Sequence, residues 1–470
     1  MRLPSFCLMC CLAATGLVSA TPVVALDEQD KERERYELMQ LFAETFQQIE
    51  SNYVRDVDRR ELMESAIQGM LRHLDQYSSY IPPPDVRRFT QMVEQEFGGI
   101  GITVNSPSPG RLIVVSPLPG TPAYRAGIRA GDLIVEVEGK STEGLSLTDA
   151  VKKLQGPVGR PVVIKIVHPG EGSEPEEVRL VRQLIKAPTV LGDRYSDKDE
   201  WEFMYDDEQK IGYIRLSHFS RFTAQEVKAA LDNVFKRNVR GLVIDLRYNP
   251  GGLLEAAIEI ADMFLEDGNI VSVRGRNVPE RSWDARKRDT YSNIPLAVLV
   301  NAYSASASEV LSACLQDNKR AVTIGERTWG KGSVQNIIRM EEGESALKLT
   351  TASYHRPSGV NIHRFPDMDV DDEWGVTPDE GFLIKYDRKQ HRACQLHRRA
   401  KEVLHPADED PADEDAAEKE ETFNDTQLIA AIDYLANQPK EPKEPKEPKE
   451  PKEPKEPEEP EEPEEPEKNE

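Results

Sequence analysis

An apolar strand that enters a helix through a turn of serines limits how this chain can fold more than any other feature. Residues 295–335 read PLAVLVNAYSASASEVLSACLQDNKRAVTIGERTWGKGSVQ. Leu296 to Val300 has strand length and β-branched content. Ser304, Ser306 and Ser308 then alternate with alanines, and a helical pattern runs from Glu309 to Leu315. Such a turn exposes a hydroxyl, and the new helix offers free backbone N–H groups beside it. Two readings share the stretch. Ser306-Ala307-Ser308-Glu309 is a capping box, with serine at the N-cap and glutamate at N3. It is also a place to present a nucleophile, with Gly330-Lys331-Gly332 and Gln335 downstream. Taken alone, Lys331 reads as a solvated loop charge.

At 470 residues the chain has room for two or three domains with a full core. Its formal net charge of −24 argues against nucleic acid or an anionic membrane as the main partner. Residues 1–25 read as a secretory signal. Arg2 is a short positive region, Leu3 to Val18 is apolar, and Val18-Ser19-Ala20 or Val23-Val24-Ala25 offers a cleavage site. The alternative is an uncleaved anchor, for which the apolar run is short. The expected location is exported, periplasmic or otherwise extracytoplasmic, with membrane association if the signal is retained. Cys7, Cys10 and Cys11 leave with that signal. Cys314 and Cys394 remain, and export permits them to pair, although Cys314 lies in an apolar pattern that reads as core. No zinc-type spacing occurs, so neither metal nor cofactor is expected.

The chain changes character five times. Residues 26–95 read as helices, with Leu38, Leu41, Phe42, Phe46 and Ile49 at helical spacing, up to the break at Pro82-Pro83-Pro84. Residues 96–185 carry short strands and two short helices, the pattern of a small, partly open barrel. Residues 186–404 alternate strand and helix, which predicts an α/β core. Its second strand, Gly241 to Arg247, ends in Tyr248-Asn249-Pro250-Gly251-Gly252. Residues 405–437 form an acidic linker and a short helix from Thr426 to Leu435. Residues 438–470 repeat Lys-Glu-Pro and Glu-Glu-Pro, which predicts an extended, solvated, disordered tail. The fold class is α/β within an α+β multidomain chain.

SASASE followed by TWGKGSVQ resembles the C-terminal processing peptidases, serine peptidases of family S41 with a Ser–Lys dyad. The resemblance implies Ser306 as nucleophile, Lys331 as its base and Gln335 as the residue that orients the lysine. The turn DLRYNPGG resembles the family's oxyanion loop and implies the N–H groups of Gly252 and Ala307 as the oxyanion hole. Asp317 stands near the family position of an auxiliary acid, or simply ends its helix. The loop Gly99-Ile100-Gly101-Ile102, with AGIRAGDLIVEVEG behind it, resembles a PDZ domain, whose glycine loop would take a peptide's terminal carboxylate. Arg129 in that segment is a candidate for signalling an occupied groove, or a solvated loop arginine. The implied partners are protein or peptide substrates held by their C-termini, a second copy through the N-terminal helices, and an unidentified partner for the tail. A neutral lysine can serve as base because burial disfavours its charged form, and a neutral glutamine can hold it without stabilising the ammonium. The alternative is a catalytically silent secreted PDZ module or scaffold.

Overall fold

The structure is a computed structural model that describes residues 28–86, 89, 96–108, 110–170, 173–286, 290–405 and 423–438. The expected signal at residues 1–25, the acidic linker beyond His405 and the tail beyond Gln438 lie outside the described residues. The chain divides into two compact units, residues 1–73 and residues 74–470. The first unit carries the helix Glu28–Asn52 and nearly all of Arg59–Leu74. Asp58 caps the latter by accepting the Glu61 N–H at 2.9 Å. Leu38, Leu41, Phe42 and Ile49 of the expected stripe are exposed.

The second unit is built on a sheet ordered Val190–Leu191, Ile211–Leu216, Gly241–Asp245, Leu296–Val300 and Ala321–Gly325, with Met204–Asp206 beside Ile211–Leu216. The last four strands in that order pair in parallel. Parallel strands need long crossovers, and the helices Thr223–Lys236, Leu254–Asp262 and Ala307–Asp317 lie in them. All five residues of Gly241–Asp245 and of Leu296–Val300 are buried, because both faces are covered. On one face Leu242, Ile244, Val298 and Val300 pack in the same cluster as Leu231, Ile260 and Leu311 of the crossover helices. On the other, Val243, Ala297, Leu299 and Ile324 pack with Leu428, Ala431 and Leu435 of the helix Thr426–Ala436. The far end of the chain thus completes the core.

Arg247 anchors that helix. It is 1% exposed and lies between Asp245 and Asp425, with N–O distances of 2.8 Å to each. Burial would raise the Asp245 and Asp425 carboxyls, but the Arg247 guanidinium, with Arg398 beside Asp245, holds both below the usual carboxylate range. Cys314 and Cys394 are both buried and unpaired, so the disulfide that export would permit is not formed.

A second sheet orders Ser79–Ile81, Ser345–His355, Asn269–Gly275 and Val278–Asp284, with Ser333–Met340 also paired to Ser345–His355. Ser79–Ile81, within the stretch that reads as helical, is a strand antiparallel to Ala346–Lys348. Its register offers backbone partners and buries Tyr80 and Ile81, which outweighs the helical context before it.

Residues 102–181 make a separate sheet ordered Ile102–Asn105, Leu112–Pro117, Leu133–Val137, Pro161–Val167 and Glu176–Val181, with Ile102–Asn105 at its edge. Val114, Ile134, Ile164 and Ile166 fill its core with Ala150 and Leu154 of the helix Leu147–Leu154. It is tied to the α/β body at two points. Ser116 Oγ accepts the Leu404 N–H at 3.0 Å. Tyr124 donates to Asp199 at 2.5 Å, and Asp199 also meets His405 at 2.9 Å.

Candidate active site

Ser306 stands where the strand Leu296–Val300 passes into the helix Ala307–Asp317, at the carboxyl end of the parallel sheet. Open α/β sheets bind ligands at that end. Its φ is +57°, a left-handed conformation that costs a non-glycine residue about 1–3 kcal/mol unless its surroundings impose it. Here they do. Ser304 Oγ donates to the Leu246 carbonyl at 2.8 Å, and Ser308 Oγ donates to the Asn249 carbonyl at 3.0 Å. The two flanking serines therefore staple the turn to the loop after Gly241–Asp245. Ser306 also caps the helix that follows it, its side chain facing the N3 backbone in a capping box, but among the described residues its hydroxyl, unlike those of Ser304 and Ser308, donates to no other group.

The neighbouring loop is equally determined. Asn249 donates to the Leu216 carbonyl at 2.8 Å, accepts the Gly251 N–H at 2.8 Å, and its carbonyl takes the Ala305 N–H at 3.0 Å. Asn301 Oδ1 receives the N–H groups of Tyr248 and Tyr303 at 3.0 and 3.1 Å. Gly251 has a φ of +98°, and a Cβ there would lie 2.6 Å from the Ala305 oxygen, 2.7 Å from Ser306 Cβ and 2.9 Å from the Ala307 nitrogen. Only glycine lets this loop touch the serine turn. The N–H of Gly252 and the N–H of Ala307 find no acceptor among the described residues. Ala307 is the first residue of its helix, where the helix dipole favours negative charge.

Lys331 is half-buried, and burial pushes its amine below the usual lysine range. Lys348 pushes in the same direction, and the Glu309 carboxylate opposes both. The amine lies 5.2 Å from the centre of the Tyr77 ring. Tyr77 is fixed by Asp75, which accepts the N–H groups of Tyr77 and Ser78 at 2.7 Å each. Lys331 Nζ and Ser306 Oγ make no hydrogen bond to each other among the described residues. Their loops are joined through Glu309, whose Oε2 accepts the N–H of Ser306 and the N–H of Lys331, both at 2.8 Å.

The other expected residues fall differently. Gln335 lies on the strand Ser333–Met340, where its amide donates to Ser333 Oγ at 2.8 Å and Thr350 Oγ1 at 3.3 Å and does not reach Lys331. Asp317 ends the helix Ala307–Asp317, about 16 Å along the axis from Ser306. There it pairs with Arg356 and accepts the Ser358 N–H at 3.0 Å, so it is not brought to Ser306 or Lys331. In the barrel, Gly101 has a φ of +81°, and the N–H groups of Ile100 and Gly101 donate to nothing among the described residues. Gly99 ends the strand Glu96–Gly99 and Ile102 begins the next, so all four residues sit at the mouth of the sheet. Arg129 is exposed, and its guanidinium has no partner among the described residues. The barrel meets the body through Ser116 and Tyr124 instead. Glu309, Tyr77, Asn249, Asn301 and Thr328 were not singled out for the site by sequence. The capping-box spacing of Glu309 and the place of Asn249 in the DLRYNPGG turn carried signal.

A strained serine turn, two unused N–H groups and a half-buried lysine, beside a small open sheet, are parts that a serine peptidase with a peptide-binding module needs. Comparison with known proteins agrees. The model for peptidase family S41 matches residues 210–381, that for a PDZ domain residues 113–167, and that for the activating protease CtpB N-terminal domain residues 10–83. The carboxy-terminal-processing protease of Bartonella bacilliformis is 38% identical over 373 residues, 78% of this chain and 79% of that protein. The carboxyl-terminal-processing protease of Synechocystis is 34% identical over 335 residues, 71% of this chain and 74% of that protein. The solved photosystem II D1 C-terminal processing protease is 30% identical, covering 77% of this chain and 87% of that one, with a TM-score of 0.43. The chain belongs to peptidase family S41, among the carboxy-terminal processing serine proteases that carry a PDZ domain.

Proposed function

We propose that this protein is an exported endopeptidase in which Ser306 attacks, neutral Lys331 takes the serine proton, and Gly252 and Ala307 N–H groups receive the oxyanion. The observation that carries the reading is a Ser306 hydroxyl that donates to no other described group, on a strained turn at the start of a helix, with Ala307 and Gly252 N–H groups that find no acceptor among the described residues. Preorganised donors of this kind are the largest single term in many acyl transfers. Gln335 completes the arrangement by turning its amide oxygen, which accepts no hydrogen bond among the described residues, toward the Lys331 amine. That movement accompanies closure of the gap between Lys331 and Ser306. The unused N–H groups of Ile100 and Gly101 take the terminal carboxylate of a substrate, with Gly99 and Ile102 framing the loop. The apolar run and cleavage sites in residues 1–25 support export. Among the described residues no helix is long and apolar enough to cross a membrane.

The test compares the enzyme with Ser306→Ala on an exported proteome and maps new termini. Cuts near C-termini that vanish in the variant are expected. Activity that persists in Ser306→Ala and is lost in Ser304→Ala or Ser308→Ala would move the nucleophile. Peptide recognition is tested separately with acid and amide forms of one peptide. A charge-assisted contact predicts a higher kcat/KM for the acid. A ratio near one would remove carboxylate reading from the PDZ loop. A catalytically silent chain, the reading favoured by the unjoined dyad, would show no cuts with either protein.

A further inference from the structure

We propose that Glu309 is the positioning residue that fixes the nucleophile turn against the lysine loop, an inference that rests on reading Ser306 and Lys331 as the dyad. A glutamate at N3 of a capping box ordinarily reaches back to one N–H. This one accepts four donors. Oε2 takes the N–H groups of Ser306 and Lys331 at 2.8 Å each, and Oε1 takes the Gly330 N–H and the Thr328 hydroxyl at 2.6 Å each. Three of the donors are backbone N–H groups. The fourth, Thr328 Oγ1, donates to Glu309 and accepts the Val376 N–H at 2.8 Å.

An ionised carboxylate has about four acceptor positions, and here each is filled by a group that donates to it. Burial pushes the Glu309 carboxyl above its usual range, and the Thr328 hydroxyl and the three N–H groups act against that. The side chain is fully buried, and a Cβ on Gly375 would lie 3.3 Å from Oε1, so there is little room for adjustment. One oxygen atom thus bridges the backbone nitrogens of the two residues that must react together. It also holds the N–H of a serine in a left-handed conformation. The charge has a second effect: it stabilises the Lys331 ammonium, against burial and against Lys348, while the Tyr77 ring faces the same amine. The lone pairs of Glu309 place the lysine loop, and its charge tunes the lysine.

The experiment uses the full chain with Glu309→Gln, Glu309→Asp and Ser306→Ala. Glu309→Gln turns one acceptor into a donor facing donors. Its kcat should fall about 100-fold or more, the scale of a 1 Å misplacement, with KM and PDZ-peptide affinity retained. The basic limb of its pH profile should move to lower pH, because the ammonium has lost its carboxylate. Glu309→Asp keeps the charge but is one methylene shorter, so kcat should fall with the limb unmoved. A Glu309→Gln enzyme within about threefold of wild-type kcat, or with an unmoved limb, would overturn the proposal. If Glu309→Gln does not fold, Glu309→Asp decides: lost kcat with retained KM supports the proposal, and unchanged kcat overturns it. Failure of the dyad reading looks different, since Ser306→Ala would then stay active whatever Glu309 does.

Discussion

Replacing Gly251 by alanine should separate backbone strain from collision at the active site. At +98° the φ of this residue costs an L side chain about 1–2 kcal/mol wherever it occurs. The added Cβ would also stand 2.6 Å from the Ala305 oxygen, 2.7 Å from Ser306 Cβ and 2.9 Å from the Ala307 nitrogen. None of these is the far end of a flexible side chain. The serine turn must therefore shift by several tenths of an ångström, and it carries both the proposed nucleophile and one proposed oxyanion donor. Losing one such donor costs roughly 100- to 1,000-fold in kcat. Gly381 supplies the control, with a φ of +85° and nothing within 4 Å of its Cβ. Gly381→Ala should lose about 1–2 kcal/mol of stability and keep its kcat. Gly251→Ala should lose about 100-fold or more in kcat on a short peptide. Denaturant midpoints and kcat on both variants make the comparison. Equal kcat in the two would mean that the serine turn tolerates the methyl, and the account of this close approach would be wrong.

Three further outcomes are expected. Because burial holds the Lys331 amine below the usual lysine range, the unfolded chain binds more protons between the folded and unfolded values. The lysine thus costs stability below its folded value, and the deficit shrinks as pH rises toward the unfolded one. Lys331→Met should abolish hydrolysis while raising the melting temperature at neutral pH, a gain that fades in alkali; an unchanged or lower melting temperature would contradict the burial argument. Activity should rise with pH along one basic limb as Lys331 loses its proton, and Gln335→Glu should move that limb upward; rates at matched pH in both enzymes would expose a limb indifferent to Gln335. Asp425→Ala leaves the buried Arg247 with one of its two carboxylates and should destabilise the body by about 3 kcal/mol or more in denaturant titration, whereas a loss under about 1 kcal/mol would show that the helix Thr426–Ala436 is held by packing alone.

The parts of this fold that were legible in sequence are those whose residues satisfy a local rule. Leu296–Val300 is apolar throughout because it lies in a sheet covered on both faces, and its limits were read to the residue. Thr223–Lys236 and Leu147–Leu154 carry amphipathic periods within the stretches read as strand and helix. The hairpin of Asn269–Gly275 and Val278–Asp284 was not placed, since its second strand is largely exposed and charged. Nor was Arg388–Lys401, a helix so basic that only Cys394 and Arg398 are buried. Ser79–Ile81 is too short to announce itself and exists because residues 346–348 pair with it. At the site, Ser306 and Lys331 stood out through motif and spacing. The groups that hold them did not, because Glu309 and Tyr77 act across 22 and 254 positions of sequence and have ordinary local explanations.

The helix Thr426–Ala436 also sets the order in which the molecule can be completed. A chain emerging from its N-terminus presents every strand of the central sheet before it presents the residues that cover the second face of that sheet. Until then Val243, Ala297, Leu299 and Ile324 face water, and Arg247, five residues before Gly252, lacks its partner on the last helix. Contacts of such long sequence separation form late. Covering the second face of the central sheet is therefore the last step of assembly. A nascent chain that already carries Ser306, Lys331 and the glycine loop from Gly99 to Ile102 still lacks that cover.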